Sequence, residues 1–220
     1  MNEIARRLLD WFLRNGRNYP WRNTQDPYKI LIAEIMLQRT KADQVEPVYR
    51  EFVEKFPSPH ELNKASIKDI EKFFTRLGLR WRAGLVKALA RELVKRFNGK
   101  VPENRDELLS LPSVGDYMAD AVLSFAYERS VAVVDSNICR ILERVFDLKP
   151  RGEARRDPKF RKIADKIIPA GKAKPFNWAM IDLAALICTP RNPKCHLCPL
   201  CDICRYHERK RQVRQETPSM

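Results

Sequence analysis

Apolar residues recur every three to four positions along almost the whole chain. Ile4, Leu8, Trp11 and Phe12 form one stripe, Val45, Val48, Tyr49, Phe52 and Phe56 a second, and Leu85, Leu89, Leu93 and Phe97 a third. That spacing gathers each set on one face of an α-helix, and no run of alternating residues reads as strands. Breakers punctuate the pattern: NGRNYPW at 15–21, PSP at 57–59, RLG at 76–78, NGKVP at 98–102 and LPSVG at 111–115. Proline removes a helical N–H donor and glycine opens left-handed backbone, so the stripes read as about ten helices with short links, an all-α fold.

Composition adds a partner class. The 220 residues are 44% hydrophobic, enough for a folded core. Lys and Arg outnumber Asp and Glu by 42 to 28, a formal charge of +14. Such a field attracts polyanions such as nucleic acid, with acidic membrane surfaces as the alternative. No stretch approaches the roughly 20 apolar residues of a membrane span. The N-terminal MNEIARRLLDWFLRNGR is broken by charge where a signal peptide carries its apolar run, so an intracellular, cytoplasmic protein is expected. Residues 149–174 hold ten basic and three acidic side chains, either a solvated face or a phosphate-contacting surface. The tail after Cys204, ending ERKRQVRQETPSM, lacks apolar periodicity and is expected to fray.

Five of the six cysteines crowd between 188 and 204. That distribution suits metal or cluster ligation in a reducing compartment better than a disulfide framework. Cys195, Cys198, Cys201 and Cys204 follow one another at x2 spacing, with Cys188 upstream. Two zinc hooks cut from this run leave almost no chain between them. The repeat therefore resembles the iron–sulfur runs of ferredoxins more than paired zinc knuckles, with zinc as the alternative. Pro190, Pro193 and Pro199 stiffen the surrounding loops. Cys139, alone in an apolar helix, reads as a small core residue.

In LPSVGDYMADAVLSFAYERSVAVVDSNICRIL a tight turn at Ser113, Val114 and Gly115 enters an amphipathic helix. The unpaired amides at such a helix start suit a phosphate, although an ordinary hairpin between two helices has the same pattern. Further on, Asp135 follows four apolar residues and precedes a helix expected over 136–146. Read locally, a carboxylate there caps that helix.

Taken together, these segments resemble the helix-hairpin-helix (HhH-GPD) iron–sulfur DNA glycosylases, the group that includes endonuclease III and adenine DNA glycosylase. The resemblance runs through YPWRNTQDPYKILIAEIMLQRT, RLGLRWRAGLVKAL, the hairpin, VVDSNICRI, and Cys188-x6-Cys195-x2-Cys198-x5-Cys204. It implies that Asp135 is the catalytic carboxylate, that Cys188, Cys195, Cys198 and Cys204 hold a [4Fe-4S] cluster, and that Cys201 is a spare. It implies DNA contacts from Ser113, Val114 and Gly115. Gln38, Arg39, Leu77, Gly78 and Leu79 would fill the gap left by an extruded base or touch its widowed partner, with core packing the alternative for the leucines. Ser113 stands where relatives usually have the first hairpin glycine, and Asp116 where a basic residue is frequent, so one phosphate contact is weakened or reshaped. The implied fold is two-lobed: residues 24–134 form a helical barrel with the hairpin, and residues 1–23 with 135–220 form the cluster domain, its loop at 188–204. The implied partner is double-stranded DNA containing a mispaired base, bound by a monomer without a membrane.

Lyase members of the family carry a nucleophilic lysine at the position of Tyr117. A tyrosine forms no Schiff base, so base release without strand cleavage is implied. Adenine-specific members share PWR and Glu34 but have a small residue in place of Tyr117 and a further C-terminal domain, whereas this chain ends sixteen residues after Cys204. Members acting on thymine opposite guanine have both the tyrosine and the short tail. Hydrolysis of thymine or uracil mispaired with guanine is therefore expected. The alternatives are adenine release from A:G or A:8-oxoguanine pairs, and a non-catalytic mismatch-binding protein. Glu34 would position or activate water, or protonate a leaving purine; its plain alternative is a carboxylate tied to a helix.

Overall fold

The structure, a computed structural model, describes residues 2–216. Among them the chain forms α1 (Glu3–Asn15), α2 (Pro27–Leu37), α3 (Ala42–Lys55), α4 (Pro59–Lys64), α5 (Ile67–Arg76) and α6 (Arg82–Phe97). There follow α7 (Arg105–Leu109), α8 (Asp116–Phe125), α9 (Ser136–Phe146), α10 (Pro158–Ile167), α11 (Ala173–Leu186) and α12 (Arg205–Glu216), and no strand occurs among the described residues. Many helices begin where a short polar side chain accepts a first-turn amide: Asn2, Asp26, Ser58, Ser66, Asn104, Asp135 and Asp157 all do so. Proline follows the cap in α2, α4 and α10, where its missing N–H has no intrahelical partner to lose.

Contacts divide the chain into two units, residues 18–129 and residues 1–17 with 130–220. In the first, α2 is buried on nearly every side through Ile30, Leu31, Ile32, Ile35 and Met36. A helix apolar all round belongs at the centre of its unit. Around Phe52 the rings of Phe56, Phe73 and Phe74 stand edge-on with centroids 5.0, 5.3 and 5.9 Å away, an arrangement that the ring quadrupoles favour. In the second unit α1 packs on α11, and α9 packs on α10, α11 and α12. Leu8, Ile141, Leu142, Phe160, Phe176 and Leu183 fill its core.

The segment expected to fray instead continues as α12. Its polar sequence is held at the start by neighbours. The Glu208 amide donates to the Cys204 carbonyl at 3.0 Å, and Arg209 pairs with Asp147 at 2.5 Å. The cations of Arg144 and Lys210 lie 4.8 and 5.0 Å from the ring centre of Tyr206. Residues 217–220 of that tail lie outside the described residues. Along 149–174, each of the three acids pairs within the stretch: Glu153 with Arg155 and Arg156, Asp157 with Lys159, and Asp165 with Arg161. No helix among the described residues is long and apolar enough to cross a membrane.

An ion pair with a buried acid ties the segment that follows α1 to α11. The Arg17 guanidinium meets Asp182 at 2.7 and 2.8 Å, the Arg17 amide donates to the same carboxylate at 2.8 Å, and Asp182 is fully buried. Removing one partner of a buried pair leaves an uncompensated charge. Arg17→Ala, which takes the cation from the fully buried Asp182 carboxylate, is expected to cost about 3 kcal/mol, read as a lower urea midpoint with an unchanged slope.

Candidate functional site

Asp135 is built into the second unit by its flanking backbone. The extended stretch 131–134 that leads to it is pinned from α11, where Asn177 donates to the Val131 carbonyl at 2.9 Å and accepts the Val133 amide at 3.2 Å. From α10, Asp165 accepts the Ala132 amide at 3.2 Å. Asp135 then caps α9: its Oδ1 accepts the amides of Asn137 and Ile138, each at 2.8 Å. Its Oδ2 accepts the Asn137 side-chain amide at 2.8 Å. Three donors therefore fix the plane of this carboxylate.

Asn137 is itself braced. Arg140 donates to Asn137 Oδ1 at 2.9 Å, so the amide presents its NH₂ to Asp135. The same guanidinium donates to the carbonyls of Cys188 at 2.9 Å and Ala184 at 3.2 Å, and burial lowers its affinity for the proton. A continuous relay thus runs from the cysteine loop through Arg140 and Asn137 to Asp135. Reading the sequence singled out neither Asn137 nor Arg140. Their positions two and five after Asp135, on the first turns of its own helix, are the only signal the sequence carries.

The cysteines form the other feature of this unit. Successive 3₁₀ turns link them: the Cys198 amide donates to the Cys195 carbonyl, Cys201 to Cys198 and Cys204 to Cys201, at 3.1, 3.1 and 3.3 Å. Residues three apart eclipse in such turns, bringing their side chains to one side. Cys188, Cys195, Cys198, Cys201 and Cys204 line a single pocket with Ile187, Pro193 and Tyr206. Arg144 closes it, donating to Cys188 Sγ at 3.3 Å and to the Thr189 and Pro190 carbonyls at 2.8 and 3.0 Å. Burial pushes the Cys198 thiol up to about 12 and raises Cys204 as well. Cys201 differs, with its thiol on Asp202 Oδ1 at 3.3 Å. Among the described residues no three His, Cys, Asp or Glu side chains close into a metal-holding group. Cys139 is a core residue, 1% exposed.

In the first unit, α7 and α8 form the hairpin. Ser113 takes φ +66°, the left-handed region that favours glycine at this place. Gly115, by contrast, is extended at φ −105°, and a Cβ built on it would meet nothing within 4 Å. The protein's own packing therefore does not require glycine there. Asp116 opens α8 but is paired with Arg105, which also holds the fully buried Asp120 at 3.1 Å. The acid standing where a base is frequent is thus matched by a cation from α7. Tyr117 lies half-buried on the first turn of α8. Gln38, at the end of α2, donates to Met118 Sδ at 3.2 Å and so joins the α2 terminus to the hairpin helix. Glu34 is buried one turn earlier on α2. Arg39 is exposed with φ +63°. Leu77 and Leu79 are buried on either side of Gly78, whose φ is +70°. Val114 is buried too, its amide on the Leu111 carbonyl at 3.2 Å.

Residues 32–169 match the family described as HhH-GPD superfamily base excision DNA repair protein. The thymine/uracil-DNA glycosylase of Pyrobaculum aerophilum is 38% identical over 212 residues, covering 94% of this chain and 92% of that protein. A solved structure of a thermostable thymine-DNA glycosylase superimposes with a TM-score of 0.89 at 35% identity, over 94% of this chain and 95% of that one. A trapped endonuclease III–DNA covalent intermediate does so with a TM-score of 0.81 at 25% identity, over 94% and 95%.

The left-handed backbone at Ser113 carries a stability consequence. Ser113→Gly relieves a conformation that costs an L-residue about 1–2 kcal/mol, offset in part by glycine's greater freedom when unfolded. A net gain of about 0.5 kcal/mol is expected, visible as a raised thermal midpoint.

Proposed function

The chain belongs to the HhH-GPD superfamily of base excision DNA repair proteins and is a DNA glycosylase, and from that premise we propose that it hydrolyses the N-glycosidic bond of thymine or uracil mispaired with guanine in duplex DNA. The observation that carries this reading is the end-to-end likeness to a thymine/uracil-DNA glycosylase, 38% identity over nearly all of both chains. Tyr117 at the start of α8 agrees with it.

The target nucleotide leaves the stack at a cost of a few kcal/mol, less for a mispair, which gives selectivity before any pocket contact. Breaking the bond to the base develops positive charge on the sugar, and a fixed carboxylate stabilises it. In this proposal that carboxylate is Asp135. Its two backbone donors and the Asn137 amide, braced by Arg140, set its orientation before substrate arrives. Thymine and uracil depart as relatively stable N1 anions, so Glu34 serves to position or activate water. Tyr117 has no amine with which to attack the sugar, so the reaction ends at the abasic site; its ring stacks on or hydrogen-bonds the extruded base. Ser113, Val114 and Gly115 receive a DNA phosphate at the hairpin. The bare Gly115 position, which nothing in the protein crowds, leaves room for that approach.

A cysteine cluster of this kind is shared with endonuclease III-like iron–sulfur enzymes. The chemistry of five thiols on one pocket fits a polynuclear group, and we assign Cys188, Cys195, Cys198 and Cys204 as the ligands of a [4Fe-4S] cluster. When bound, the cluster cross-links the loop through four thiolates. Arg144, beside Cys188, supplies a cation against the accumulated negative charge.

Incubation with T:G, U:G, A:G and A:8-oxoguanine duplexes, with alkali to reveal abasic sites, is expected to show cleavage only for the first two; release of adenine alone overturns the assignment. Borohydride should trap no covalent adduct. Asp135→Asn is expected to lower base release by about 10³-fold while sparing binding. Asn137→Ala should lose about tenfold, the worth of one hydrogen bond to a charged group. Iron and acid-labile sulfide analysis should find the cluster kept in Cys201→Ser and lost in Cys198→Ser.

A further inference from the structure

The turn between α5 and α6 presents an aromatic surface that the reading above leaves unused. Leu77 and Leu79 point into the core, 9% and 7% exposed, and the turn is tied down by the Leu79 amide on the Phe74 carbonyl and the Arg82 amide on the Leu79 carbonyl, both at 2.8 Å. That anchoring leaves Trp81, at the start of α6, 64% exposed. Trp11 and Trp21 are buried and Trp178 half-buried, so Trp81 is the most open indole of the chain. Leaving so large an aromatic in water is unfavourable unless a partner covers it.

Beneath it lies a buried cation. The Arg82 guanidinium sits 4.8 Å from the Trp81 ring centre. Arg82 is only 4% exposed, donates through Nη1 to the Ile35 carbonyl at 2.6 Å, and its Nε is buried with no hydrogen-bond partner. Burial and then the nearby charge of Arg39 lower its hold on the proton. No carboxylate among the described residues forms an ion pair with either arginine. Arg39 has left-handed backbone, and Thr40 beside it has a buried hydroxyl oxygen without a partner. Two like charges, one of them on left-handed backbone, thus interact with each other, and the buried one lies against an open indole. An anion attached to a flat apolar ring matches both the open indole and the positive charge behind it, and a nucleotide is such a group.

We propose that Trp81, backed by Arg82, is a stacking platform for a nucleobase exposed where the duplex opens, with the exposed Arg39 drawing in the adjoining phosphate. One face of the indole is taken by the guanidinium and the other receives the base. This inference rests on the glycosylase reading for its DNA partner and assigns that partner a contact beyond those expected of Leu77, Gly78 and Leu79 in the same turn.

The test uses the whole protein with a duplex carrying uncleavable 2′-fluorothymidine opposite guanine. Acrylamide quenching of tryptophan emission is expected to fall on binding this duplex, and the protected fraction should disappear in Trp81→Phe. Trp81→Ala should weaken binding about tenfold or more, the worth of one base–aromatic stack, with Trp81→Phe losing less. Emission that is equally quenchable with the duplex bound, or Trp81→Ala binding as the wild type does, overturns the proposal. Loss of the glycosylase reading is seen separately: a wild-type protein that releases no thymine or uracil, yet shows protection at Trp81, keeps the contact and discards the reaction.

Discussion

The hydrogen bonds at the start of α9 are the constraint on which the second unit turns. Asp135 is at once the cap of that helix and the proposed catalytic carboxylate, and the two roles share the same atoms. Capping consumes Oδ1 through two backbone amides, and the Asn137 side chain meets Oδ2. The result is a carboxylate that cannot rotate without releasing helix donors, which is the preorganisation a charge-stabilising group requires. Asn177 and Asp165 hold the preceding strand-like segment from two other helices. The orientation of one side chain therefore depends on α9, α10 and α11 together.

The relay through Arg140 extends that dependence to the cysteine loop. Its guanidinium spans Asn137 and the carbonyls of Ala184 and Cys188, so a change in the loop backbone reaches Asp135 through two hydrogen-bonded side chains. Arg144 serves the loop in a similar way from one turn further along α9, with donors on Cys188, Thr189 and Pro190. Two arginines on a single helix thus couple a proposed cluster site to a proposed reaction centre. Arginine suits the task because its planar fork satisfies several acceptors at fixed geometry.

In the other unit, one departure from the family pattern is carried as backbone strain and the other is paired locally. Ser113 adopts the backbone that glycine would take without strain. Asp116 is paired with Arg105, a cation that it shares with the fully buried Asp120. That arrangement keeps an acid at the helix start without presenting its full charge to a phosphate.

Much of the architecture was legible in the sequence because helices are local objects. The apolar stripes, the breakers between them and the span of α9 follow from spacing and capping chemistry alone. The crowding of five cysteines likewise marked the loop, since ligand spacing is a property of adjacent residues. Asp135 was ambiguous on local grounds, because a cap and a catalytic carboxylate present the same residue before the same helix. Only the tertiary structure decided three further matters. α12 forms despite its polar sequence because Tyr206 and Arg209 find partners on α9 and just beyond it. Leu77 and Leu79 turn inward while Trp81 turns outward, a choice made by packing around Gly78 that periodicity in a short turn does not encode. Asn137, Arg140 and Asn177 became visible only when folding brought the loop and three helices to Asp135, since hydrogen bonds between residues some forty positions apart leave no periodic trace in the chain.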